Sequence, residues 1–100
     1  MIDFASAAEG GLIGLSDPDV LAITAREKRI LITHDRRTMP RHFRDRLLSG
    51  QASPGVFIVS QFEAMGPVSE VLVMVWAASD AHEWQNQIRH LPSLSPHRYP

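Results

Sequence analysis

The sequence predicts a three-layer α/β sandwich with a mainly parallel sheet. Two short apolar runs, Ile30–Thr33 and Val56–Val59, are typical of buried parallel strands, and helix-like stretches separate them. This alternation places helices on both faces of one sheet. The chain has 100 residues, of which 44% are hydrophobic and 21% charged, so it has the size and composition of one globular domain. We expect that domain to span residues 1–91.

The first helix is predicted to begin at Asp17-Pro18-Asp19, after a short strand at residues 1–4. Asp17 is expected to cap free backbone N–H groups, and proline suits the first helical position. Asp19 is expected near the positive end of the helix dipole, and the basic residues within 26–29 near its negative end.

Two more helices are predicted. A basic amphipathic helix begins at residue 38 or 39 and ends at residue 48, with Phe43, Leu47 and Leu48 facing the core. The apolar run at 68–78 predicts a buried helix, with residues 80–86 as its candidate extension. We expect Trp76 and Trp84 to pack in the core. Ile88–Leu91 is predicted as an edge strand, and 92–100, with three prolines, as an extended or disordered tail.

Composition and charge exclude several classes of protein. The chain has no cysteine, which excludes a disulfide framework, a thiolate zinc site and a cysteine nucleophile. No signal peptide is recognisable, and the longest apolar run is too short to cross a bilayer, so we expect a cytoplasmic protein without membrane contact. The five histidines lack zinc-helix spacing, and the chain has no G-x-S-x-G elbow or phosphate-binding glycine loop.

The net charge of −1 conceals an acidic block followed by a basic one. Residues 1–25 contain four acids and no Lys or Arg, whereas residues 26–46 contain eight basic residues and three acids. On charge alone, the simpler interpretation of this asymmetry is a solvated helix face with local ion pairs. The alternative is a metal site beside a phosphate-binding surface.

Carboxylates are expected to converge at the carboxyl end of the sheet. Strand Ile30–Thr33 delivers Asp35 to that edge, and the preceding antiparallel helix begins there with Asp17 and Asp19. Such oxygen ligands suit Mg²⁺ or Mn²⁺. The simpler interpretation makes Asp17 a helix cap and Asp35 a turn residue. Nearby arginines, whose planar guanidinium groups bind phosphate well, suggest a nucleic-acid backbone as substrate; an acidic protein would use the same surface.

Three segments together carry a resemblance to a known family: residues 14–21 (GLSDPDVL) with Ala25, residues 29–37 (RILITHDRR) and residues 54–59 (PGVFIV). They resemble the small PIN-like domains, which include the toxin ribonucleases of toxin–antitoxin pairs. The resemblance implies a Mg²⁺- or Mn²⁺-dependent nuclease that cleaves single-stranded RNA, with an antitoxin as a possible protein partner.

By position in the family pattern, Asp35 matches the acid after the strand, and Asp17 the acid that opens the preceding helix, with Asp19 as the alternative. The resemblance thus implies Asp17 and Asp35 as catalytic residues, with Asp19 added to the metal ligands, and Thr33 as their support. The expected phosphate contacts are Arg36, Arg37 and Arg41.

The sequence departs from the family pattern at its beginning. The family's first strand, which ends in an aspartate, has no counterpart before residues 1–4, so we expect an N-terminally shortened PIN-like domain. A catalytically inactive protein that binds a protein or nucleic acid is therefore the alternative. An exposed sheet edge and an apolar patch of Leu12, Ile13 and Leu15 would favour a homodimer or a complex with a partner chain.

Overall fold

A computed structural model describes residues 2–8, 10–60 and 65–91 of the chain, apart from the side chain of Met65. The described elements in chain order are β1 (Phe4–Ser6), α1 (Asp17–Glu27), β2 (Ile30–Thr33), α2 (Met39–Leu48), β3 (Val56–Val59), α3 (Met65–Ala78), a 3-10 helix (Ala81–Trp84) and β4 (Ile88–Leu91). These four strands form one parallel sheet in the order β1-β2-β3-β4. The predicted α/β class is confirmed, and the tail at 92–100 lies outside the described residues.

Alternating side chains of the central strands divide the core between the two faces of the sheet. Leu31, Val56 and Ile58 belong to the cluster that contains buried side chains of α1 and α2. Phe57 and Val59 point the other way, into the cluster that contains α3. Helices therefore cover both faces, which is the predicted three-layer arrangement.

Helix α1 is capped by Ser16, so the prediction that Asp17 is the cap is wrong. The Ser16 hydroxyl accepts the backbone N–H of Asp19, and Asp17 is the first helical residue. The side chain of Asp17 is thereby left for other contacts. The helix ends at Glu27, and the next residue, Lys28, caps it in the left-handed conformation with φ of 58°.

Two predicted core residues are exposed. In α2 the buried residues Met39 and Phe43 are four residues apart, and half-buried Leu47 continues their stripe. Leu48 lies about 100° further round the helix and is 78% exposed. In α3 the same rotation separates buried Val75 from Trp76, which is 55% exposed. The predictions for Leu48 and Trp76 are therefore wrong.

The half-buried Trp84 does pack in the core, where its ring contacts the Phe57 ring edge-on, with 5.3 Å between the ring centroids. It belongs to the 3-10 helix, so residues 80–86 do not extend α3. Leu12 is buried rather than part of an apolar patch, whereas Ile13 is 65% exposed. The first strand lies at Phe4–Ser6, later than predicted. No helix among the described residues is long and apolar enough to cross a membrane.

Candidate metal and phosphate site

Three elements meet at the carboxyl edge of the sheet. Strand β2 ends there at Thr33, α1 begins there at Asp17, and α2 begins there at Met39. Helix α1 packs on α2 and on β2, so the start of α1 is held beside the turn that joins β2 to α2. Residues far apart in sequence are thereby brought to one place, as parallel topology requires.

Asp17 and Asp35 converge on the hydroxyl of Thr38. The Thr38 Oγ1 lies 3.0 Å from Asp17 Oδ2, and it is also hydrogen-bonded to Asp35 Oδ2. The two carboxylate oxygens are therefore within two hydrogen-bond lengths of each other, roughly 6 Å. Thr38 has only one hydroxyl proton, which it can donate to one carboxylate at a time.

The other oxygen of Asp35 shapes the turn before α2. Asp35 Oδ1 accepts the backbone N–H groups of Arg37 at 3.0 Å and Thr38 at 2.9 Å. The hydroxyl of Thr33 in turn accepts the backbone N–H of Asp35 at 3.2 Å. Asp35 is thus a turn residue, and it is also one of two neighbouring carboxylates, Asp17 and Asp35, which we call the acid pair. Thr33 supports the backbone of Asp35.

The Asp35 carboxylate is held in its ionised form. Burial raises its pKa, but the hydrogen bonds donated by the side chain and backbone of Thr38 and by the backbone N–H of Arg37 lower the pKa to about 2. Hydrogen bonds to the charged form account for this net direction. Asp35 therefore presents a negative charge at any pH near neutrality.

Thr38 and His42 are site residues that the sequence analysis missed. His42 Nε2 lies 3.9 Å from Asp17 Oδ2, one helical turn after Thr38 on the side of α2 that faces α1. A threonine three residues after a turn aspartate is the spacing at which that aspartate accepts the threonine's backbone N–H. This spacing is the signal that could have identified Thr38; none in the sequence points to His42.

Asp19 does not join the acid pair. Its side chain is exposed, and it makes no hydrogen bond or ion pair with any residue the structure describes. Residues two apart on a helix point to different sides, so Asp17 and Asp19 cannot both face Asp35. The geometry thus favours Asp17 over its alternative.

The three predicted phosphate contacts, Arg36, Arg37 and Arg41, surround the start of α2 and are exposed. Across residues 2–8, 10–60 and 65–91, none of their guanidinium groups has a hydrogen-bond or ion-pair partner. Their charges are therefore free to meet an anion from solution.

The acid pair fits a metal ion that takes only part of its coordination from protein. No group of three or more His, Cys, Asp or Glu side chains that could enclose a metal occurs in the described part of the chain. Mg²⁺ is commonly held by one or two carboxylates, with water and substrate phosphate completing its shell. Asp17 and Asp35 match that requirement.

A cavity of about 400 Å³ lies at the opposite edge of the sheet, between the end of α1 and the start of β3. Lys28, Pro54 and His82 line it, and neither carboxylate of the acid pair does. A second cavity, of about 350 Å³, lies between α1 and α2, where Pro18, His42 and Arg46 line it.

Comparisons with known proteins found no match: no family model, no curated protein and no solved structure is similar to this chain. Any functional assignment therefore depends on the geometry of the acid pair and on the sequence resemblance.

Proposed function

We propose that this protein is a PIN-like ribonuclease that depends on Mg²⁺ or Mn²⁺ and cleaves single-stranded RNA. The observation that carries the proposal is the meeting of Asp17 and Asp35 at one hydroxyl, beside three exposed arginines that have no side-chain partner among the described residues. Two ionised carboxylates a few ångströms apart repel each other, and a divalent cation between them would relieve that repulsion. The adjacent guanidinium groups match the charge of a phosphodiester.

The roles follow from the positions of the side chains. The Oδ2 atoms of Asp17 and Asp35 would hold the ion, and Thr38 would orient them. A bound divalent ion lowers the pKa of a coordinated water and neutralises charge that develops on the phosphate. Arg37 and Arg41 would hold the substrate phosphates close to the ion.

The proposal is tested by incubating a labelled, unstructured RNA with the protein in Mn²⁺, in Mg²⁺ and in EDTA. We expect cleavage only with a divalent ion, and a loss of roughly 100-fold or more in Asp17→Asn and in Asp35→Asn. Asp19→Asn is the matched control, because it makes the same change two residues away and should retain full activity. Equal activity in Asp35→Asn and the unaltered protein would refute the assignment.

Binding without catalysis is the second candidate function. This candidate is favoured because, among the described residues, only two carboxylates meet at the site. One oxygen of Asp35 also accepts backbone N–H groups and is therefore engaged in the turn. A catalytically inactive protein would bind RNA or an acidic protein through the same arginines. It would show no Mn²⁺-dependent cleavage in the assay above while still retarding RNA in a gel.

Association with a second chain stays a prediction. Strand β1 is an edge of the sheet, so one side of its backbone has no strand partner among the described residues. A homodimer or a complex with an antitoxin-like partner would cover that edge. Light scattering at micromolar concentration tests the homodimer, and a mass near 11.2 kDa would contradict it.

A further inference from the structure

The exposed surface of α2 carries more positive charge than the acid pair requires. Arg41 and Arg44 lie on the outer face of the helix with Leu48, and Arg36 and Arg37 precede it in the turn. All four arginines are exposed, and we call them the arginine surface. It begins beside Asp35 and runs along α2, away from the carboxyl edge of the sheet.

The arginine surface is not used by the fold. Other arginines make structural contacts: Arg46 Nε donates to the Ala52 carbonyl at 2.8 Å, and Arg89 donates to Gln87 and lies over the Trp84 ring. By contrast, no side chain of the arginine surface has a hydrogen-bond or ion-pair partner in the described part of the chain. This holds even though Asp45 is exposed one turn from Arg41 on the same helix.

The opposite flank of the acid pair lacks positive charge. Residues 10–16, which precede α1, contain no charged side chain, and α1 itself begins with two acids. An extended anion that reaches the acid pair is therefore attracted along α2 and not along α1. Exposed Arg26 and Lys28 lie at the far end of α1, so near the acid pair the positive charge is confined to α2 and the turn before it, which suits a single strand better than a duplex.

We propose, on the basis of the proposed function, that the arginine surface binds consecutive phosphates of a single-stranded polynucleotide, and that Arg44 makes the contact farthest from the acid pair. Residues three or four apart on a helix stand about 5–6 Å apart, so Arg41 and Arg44 reach neighbouring phosphates. The contacts are with the backbone, so they carry no base preference.

The test measures the binding of fluorescein-labelled U8 and A8 oligoribonucleotides in EDTA, so that cleavage plays no part. Four phosphate contacts predict a slope of log affinity against log salt of about −3, because each contact with a single strand contributes about −0.7. The double variant Arg41→Gln/Arg44→Gln should make this slope less steep, at about −1.4, because two of the four contacts remain. It should also weaken binding roughly tenfold at low salt, equally for both sequences. Arg26→Gln is the matched control, since Arg26 is an exposed arginine in the last turn of α1.

Each result decides between named possibilities. Unaltered affinity and slope in the double variant, or an equal loss in Arg26→Gln, would overturn the proposal. A duplex that binds more tightly than the single strand, or polyaspartate of equal charge that competes as well as U8, would also overturn it. Arginine-dependent binding without any Mn²⁺-dependent cleavage would support the arginine surface and refute the nuclease. Unaltered cleavage and unaltered binding in the double variant would refute the arginine surface and the role of Arg41 in holding substrate phosphate, and would support metal-dependent cleavage by the acid pair alone.

Discussion

Asp35 is the residue at which the stability and the proposed chemistry of this protein can be separated. Its Oδ1 accepts two backbone N–H groups, and its Oδ2 faces Asp17 and Thr38. Asp35→Asn keeps an oxygen that can accept those N–H groups but removes the charge. Asp35→Ala removes both, so the pair of variants measures the two contributions independently.

The charge contributes stability at neutral pH. The pKa of Asp35 is lowered from 3.8 to about 2 in the folded protein, so the ionised form favours folding at pH values above 3.8, and the contribution is lost as the pH falls towards 2. A shift of this size corresponds to about 2.4 kcal/mol without screening. Solvent screening at this partly exposed carboxylate reduces it to about 1 kcal/mol.

The assay is urea unfolding in EDTA at several pH values between 3 and 7. At pH 7 we expect Asp35→Asn to be about 1 kcal/mol less stable than the unaltered protein, and the difference to fall to about half of that at pH 3. Asp35→Ala should lose about 1 kcal/mol more, as other residues at helix starts do when an acceptor is removed. A difference between Asp35→Asn and the unaltered protein that does not change with pH would refute the electrostatic explanation.

Three further predictions concern the hydroxyl, a glycine and the core. Thr38→Val should raise the pKa of Asp35 towards its ordinary value, because it removes the side-chain donor, and should cost about 1 kcal/mol; NMR titration and urea unfolding check both effects. Gly55→Ala should lower the free energy of unfolding by about 2 kcal/mol or more, because the glycine has φ of 130° and an added Cβ would lie 2.8 Å from the Trp84 carbonyl oxygen. Phe57→Ala should cost about 3–5 kcal/mol, whereas Leu48→Ala should change the free energy of unfolding by no more than about 0.5 kcal/mol. Similar thermal midpoints for the last two variants would contradict the observed core.

The sequence predicts the two central strands because each is marked by a short run of residues that is apolar along its length. Ile30–Thr33 and Val56–Val59 are buried on both faces, so every side chain must be compatible with a core, and both predictions are confirmed. The meeting of Asp17 with Asp35 follows from the same topology. A parallel strand and the antiparallel helix before it place those two residues at one edge whatever the details of packing.

It is harder to predict which face of a helix is buried when residues of similar hydrophobicity lie on all its sides. Helix α3 is apolar on almost every side, so nothing in its sequence distinguishes buried Val75 from exposed Val73 and Trp76. Only the position of the helix on the sheet decides which residues are covered. In α2 the arginines identify the outer face, but they do not separate half-buried Leu47 from exposed Leu48 at the end of the helix, where a one-residue step rotates the side chain by about 100°.

The spacing of Asp35 and Thr38 indicates the backbone contact between them. The position of the Thr38 hydroxyl between two carboxylates could not be predicted, because it depends on two turns at once. One turn places Asp35 so that it accepts the Thr38 N–H, and the start of α1 places Asp17 against the hydroxyl of the same residue. The cap supplied by Ser16 matters here. Its hydroxyl accepts the backbone N–H of Asp19 in the first turn of α1, so the Asp17 side chain is not needed as a cap and points at α2. The turn that begins α2 therefore also builds the acid pair and the near end of the arginine surface. A change in this turn that moved α2 would displace the proposed metal ligands and the phosphate contacts together, whereas Arg44, one helical turn further along, can be altered without disturbing either carboxylate.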